Sequence, residues 1–79
     1  MSFMFEVYYP PPADDRKEAV LTERVATLGG CLTSREVPES GLRSVCLTYE
    51  FEGHDQAEAA AEVLRSEGEY VEGPMDYGD

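Results

Sequence analysis

Val45-Cys46-Leu47-Thr48-Tyr49-Glu50-Phe51 alternates bulky apolar side chains with small or polar ones. A period of two is the signature of a strand with one face buried and the other wet. Gly53 breaks the pattern on one side, and the loop-forming run Pro38-Glu39-Ser40-Gly41 precedes it on the other. Working outward, Phe3, Phe5, Val7 and Tyr9 alternate with Met4, Glu6 and Tyr8 as a second strand of the same kind, stopped by Pro10, Pro11 and Pro12, which have no N–H to give a ladder. These two strands predict an apolar face of Phe3, Phe5, Val7, Val45, Leu47, Tyr49 and Phe51. They leave Met4, Glu6, Tyr8, Ser44, Cys46, Thr48, Glu50 and Glu52 on the opposite side.

Two helical stretches separate the strands. Asp15-x-x-Glu18 is capping-box-like, with Asp15 expected as N-cap, and Leu21, Val25 and Leu28 fall on one helical face before Gly29 and Gly30 end the segment. Asp55-x-x-Glu58 repeats the capping pattern, and Ala57, Ala60, Ala61 and Leu64 form a small-residue stripe suited to lie close on a sheet, up to Gly68. Cys31 to Val37 is expected as a strand, and Glu69 to Glu72 as a short last one. Gly73 to Asp79 then reads as a tail, so the expected organisation is one domain over 1–73 and an acidic tail over 74–79, with truncation after Gly73 leaving the fold intact.

The order β-α-β-β-α-β resembles the ferredoxin-like sandwich over residues 3–72. That resemblance implies an α+β fold, a four-stranded antiparallel sheet in spatial order 4-1-3-2, and two helices on one face. A second hairpin closed with Val37 opposite Leu42 sets Leu32 opposite Leu47. It also sends Cys31, Thr33 and Arg35 to the open face, where Arg35 neutralises part of the acid there.

The chain has 79 residues, 6 Lys and Arg against 17 Asp and Glu, and a net charge of −11. Phosphate binding needs clustered bases, so nucleic acid and anionic membrane surfaces are excluded as expected partners. Trp, Ile and Asn are absent and Lys17 is the sole lysine. GC-rich coding explains this first, and salt adaptation is the lesser alternative. No apolar run is long enough to span a bilayer, and no basic segment followed by an apolar one opens the chain, so a soluble cytoplasmic protein is expected. Cys31 and Cys46 lack C-x-x-C spacing and are expected as reduced thiols.

Several chemistries that the sandwich supports lack their residues. Acylphosphatase-like enzymes use an Arg after the first strand and an Asn on the third, whereas this loop is Pro-Pro-Pro-Ala-Asp-Asp and the chain has no Asn. Heavy-metal-binding domains carry a C-x-x-C in that loop, which here has no Cys. RNA-recognition motifs stack bases on aromatics of the first and third strands, but Glu50 and Glu52 stand where rings are wanted. His54 with Glu58 at i+4 offers two ligands or an acid/base pair, against the plainer role of a loop residue before a cap. Glu6, Glu50 and Glu52 offer oxygens to a hard cation, against a solvated face. Neither Cys31 nor Cys46 has a neighbouring base, so structural thiols are expected. Pro10 to Pro12 set the path into the first helix.

Charge is uneven: residues 50–79 carry ten acids and one Arg, and residues 1–49 carry seven acids and five bases. Glu67, Glu69, Glu72, Asp76 and Asp79 interleaved with Tyr70, Met75 and Tyr77 suggest an acidic, aromatic patch for a basic protein. A chain this short buries only about 60–65% of its unfolded surface, which favours a homodimer that covers the open face. The expected function is a non-catalytic binding or regulatory domain, either ACT-like toward a small metabolite or engaging a protein partner. The alternative is a small enzyme of the dimeric α+β barrel kind. Tyr8, Arg35, Cys46, Glu50 and His54 are the candidate ligand-binding residues, and no catalytic residue, cofactor or metal is assigned.

Overall fold

In a computed structural model that describes residues 2–38 and 43–76, β1 (Phe3–Tyr9), α1 (Asp15–Thr27), β2 (Cys31–Glu36), β3 (Val45–Phe51), α2 (His54–Ser66) and β4 (Tyr70–Asp76) follow one another. The four strands form one antiparallel sheet in the order β2-β3-β1-β4. The fold is α+β, with the expected order of elements.

The alternation in β1 and β3 is realised as read. Phe5, Val7 and Tyr9 join Val45, Leu47, Tyr49 and Phe51 in one buried cluster with Leu21 and Val25 of α1 and Ala57, Ala60, Ala61 and Leu64 of α2. Both helices therefore cover the same face. The alanine stripe lets α2 sit close, and Tyr49, the largest fully buried side chain, shares a 2.9 Å hydrogen bond with the Thr22 hydroxyl of α1. No helix among the described residues is long and apolar enough to cross a membrane.

Both helix starts differ from expectation. α1 is capped by Asp14, whose carboxylate accepts from the Lys17 N–H at 3.0 Å, one residue before the Asp15 expected. α2 starts after Gly53 with no side-chain cap, so Asp55 lies inside the first turn, where its charge suits the helix dipole.

The shift at α1 releases Glu18 from capping. Its carboxylate turns inward instead, 8% exposed, and accepts from the Tyr9 hydroxyl and from Arg35 Nε and Nη2, the last at 3.3 Å. Tyr9 in turn accepts the Asp14 N–H at 2.8 Å, joining the end of β1 to the start of α1. The Arg35 hydrogen bonds hold the Glu18 carboxyl below its ordinary range, against the opposing effect of burial and with help from Tyr9.

Arg35 thus lies on the helix side and not on the open face. The cause is an irregularity between Leu32 and Ser34: Cys31 and Leu32 pair with Glu50 and Tyr49, while Ser34, Arg35 and Glu36 pair with Thr48, Leu47 and Cys46. One extra residue at Thr33 reverses the parity of everything after it. Leu32 opposes Tyr49 and not Leu47, a register two residues from the expected one that keeps it on the same face. The expected Val37–Leu42 closure and the Pro38-to-Gly41 turn fall largely on residues 39–42, outside the described residues.

The last strand is longer than expected. β4 runs through Asp76, with Met75 opposite Met4 and Asp76 opposite Phe3, so 74–76 belong to the sheet and not to a tail. The ladder passes through a bulge at Gly73, whose φ is +105° and where a Cβ would sit 3.1 Å from the Met4 carbonyl oxygen and 3.2 Å from the Phe5 Cα. Only glycine meets both demands. Residues 77–79, which include Tyr77 and Asp79, lie outside the described residues.

Candidate functional site

The side of the sheet away from the helices can be laid out from the strand register. Reading across from β2 to β4, the first row is Glu36, Cys46, Tyr8 and Tyr70. The second is Ser34, Thr48, Glu6 and Glu72, and the third is Cys31, Glu50, Met4 and Met75. Four carboxylates, two phenols and two thioethers share this surface, and no base stands in these rows.

Of the candidate residues, Tyr8 and Cys46 pair on this face and Glu50 shares it two rows away. Arg35 is on the other side with Glu18, and His54 opens α2, where its ring stands edge-on to Phe3 at 5.3 Å and its Nδ1 lies 3.7 Å from Asp55. Tyr70, Glu72 and Met75 are members that sequence reasoning left off the face. The signal for Tyr70 and Glu72 was Val71, since one buried apolar residue in β4 sends its two neighbours to the opposite side, whereas Met75 reaches this face only through the bulge at Gly73.

Hydrogen bonds tie the face together along and across strands. The Tyr8 hydroxyl donates to Glu6 Oε1 at 2.9 Å, Tyr70 donates to Glu72 Oε2 at 3.1 Å, and the Cys46 Sγ lies 3.8 Å from Glu6 Oε2. Tyr8 and Tyr70 meet edge to face with ring centroids 6.0 Å apart. Donation to Glu6, then burial, raises the proton affinity of Tyr8, and donation to Glu72 does the same for Tyr70. Burial, with the charges of Glu6 and Glu36, pushes the Cys46 thiol up. All three groups are driven further into their protonated forms, away from nucleophile or base. Among the described residues no three His, Cys, Asp or Glu side chains converge as metal ligands.

The two thiols differ in access, Cys31 being exposed and Cys46 only 7% exposed. Iodoacetamide at pH 8 is expected to label Cys31 while leaving Cys46 unmodified, as peptide mass mapping would show. Equal labelling would mean that the centre of the sheet opens.

At one end of the face Tyr8, Tyr70, Glu72, Tyr9, Pro10 and Ser44 line a depression of about 570 Å³, open to solvent. Tyr70 is 62% exposed there, an unusual amount of uncovered ring for a strand residue. Comparison with known proteins finds no protein family whose sequence profile matches the chain, and no curated protein with significant similarity.

Proposed function

We propose that the chain is a small, soluble, cytoplasmic binding domain of the ferredoxin-like class that works without catalysis and engages a basic protein through its uncovered sheet face. Support for the class comes from the element order and the β2-β3-β1-β4 arrangement. The observation that carries the function is the composition of the open face, where Tyr8, Tyr70, Met4 and Met75 supply apolar contact among Glu6, Glu36, Glu50 and Glu72, with no base in the same rows. Apolar mass with charge of one sign is what steers and then holds a partner of the opposite sign.

The same charge weighs against the homodimer through this face, because a second copy brings its own four carboxylates against the first. The ACT-like metabolite reading and the alternative of a dimeric α+β barrel enzyme both draw on the depression beside Tyr8, and a barrel needs two such faces to close over it.

The test compares the chain with a Glu6→Lys, Glu50→Lys variant as bait in lysate. The expected result is capture of basic proteins by the parent chain at 0.1 M salt, loss at high salt because exposed charges are screened over about 10 Å at 0.1 M, and no capture by the variant. Identical capture by both would overturn the reading. A thermal-shift panel of amino acids and nucleotides separates the metabolite version, since a ligand at 100 times its Kd stabilises by about 2.7 kcal/mol.

A further inference from the structure

The depression between β1 and β4 has three features that together select one kind of occupant. Its walls are aromatic and apolar, from Tyr8, Tyr70 and Pro10; Glu72 supplies a carboxylate at its edge; and no Lys or Arg lines it. Rings that meet edge to face each keep at least one face unspent, and an exposed ring face attracts a cation placed within about 6 Å of its centroid. Glu72 uses Oε2 to accept from Tyr70, and its Oε1 carries no hydrogen bond among the described residues.

Among the described residues no Lys or Arg forms an ion pair with Glu72. Lys17 is held by Glu69, Arg24 by Glu67 and Arg35 by Glu18, while Arg65 meets Glu62 and donates to the carbonyls of Val71 and Gly73. A flat group that stacks on a phenol while directing N–H groups sideways to a carboxylate fits this arrangement, and guanidinium has that shape where ammonium does not.

We infer that the Tyr8–Tyr70–Glu72 depression receives an arginine side chain of a protein partner, stacked on the tyrosine rings and paired with Glu72. This rests on the reading of the open face as a binding surface for a basic protein and names the contact that reads the partner.

The experiment titrates the ¹⁵N-labelled chain with the peptide Gly-Ser-Gly-Arg-Gly-Ser-Gly at low salt, beside versions carrying citrulline or lysine at the centre, and free L-arginine. The expected result is amide shifts centred on Tyr8, Tyr9, Ser44, Tyr70 and Glu72 with the arginine peptide, weaker ones with lysine, and none with citrulline. Tyr70→Ala and Glu72→Gln, both at exposed positions, should each weaken binding about twofold to fivefold, the size of one exposed cation–ring contact or ion pair. Heat denaturation of each variant confirms that it is folded.

Binding that survives Tyr70→Ala, or shifts centred on Glu36 and Glu50 instead, would overturn the arginine site while leaving the open face as a binding surface. Equal binding of the lysine or citrulline peptide would overturn the guanidinium assignment. Tighter binding of free arginine than of the peptide would make the ligand a small metabolite and overturn the protein source. No shift on the open face with this peptide or with a tri-arginine peptide would overturn both the site and the face.

Discussion

Glu18→Gln is expected to lower stability at pH 7 by about 1.5–3 kcal/mol, the worth of hydrogen bonds to a charged group, although the substitution keeps size and shape. The carboxylate of Glu18 accepts from Tyr9 and from Arg35 in a place almost closed to water, and a neutral amide cannot satisfy both donors as well. In a domain of this size each kcal/mol moves Tm by roughly 4–8 °C, so the loss is readily seen by heat or urea denaturation. Its dependence on pH identifies the cause. The carboxyl of Glu18 is held below its ordinary value of 4.5 in the folded state, so its contribution is fully present above that pH and disappears as pH falls further, once the folded carboxyl too takes up a proton. The parent and the variant should therefore differ at pH 7 and converge toward pH 3. Tyr9→Phe, which removes one of the donors, should follow the same course with a smaller amplitude. A gap between parent and Glu18→Gln that stays constant down to pH 3 would assign the loss to packing and not to charge.

Ending the chain at Gly73 is expected to destabilise the domain by about 1–3 kcal/mol, from two cross-strand pairs and their ladder hydrogen bonds. Met75 opposite Met4 and Asp76 opposite Phe3 continue β4 beside the central strand β1, so the cut exposes the start of β1 along one edge. The urea midpoint of the truncated chain measures the effect. An unchanged midpoint would return residues 74–76 to the status of a tail. If the shortened chain stays folded, it should still bind the arginine peptide, because Tyr70 and Glu72 precede the cut.

The α+β arrangement was legible wherever a period held without interruption. In β1 and β3 each residue's face follows from parity alone, and in α2 the spacing of Ala57, Ala60, Ala61 and Leu64 marks the buried stripe. Tyr8, Cys46 and Glu50 could be placed on one surface for this reason. β2 shows where parity fails. Its residues are exposed along their whole length, so no apolar pattern marks a buried face, and the extra residue at Thr33 moved Arg35 across the sheet. β4 was cut short because Gly73 and Pro74 look like the end of a strand. A bulge on an edge strand tolerates both, since the side away from β1 needs no N–H donors.

What the sequence determined by itself, then, is the order of the elements, the buried side of the two central strands and of both helices, and a surplus of negative charge. These depend on neighbours within one strand or one helical turn, and local spacing records them. The tertiary structure decided that Glu18 serves Tyr9 and Arg35 instead of a helix start, that β2 shifts its register, and that Tyr70 of the last strand comes to lie against Tyr8 of the first. Each of these joins residues from different elements. Their meeting depends on which strands become neighbours and on a single bulge in the register, and neither leaves a periodic trace along the chain.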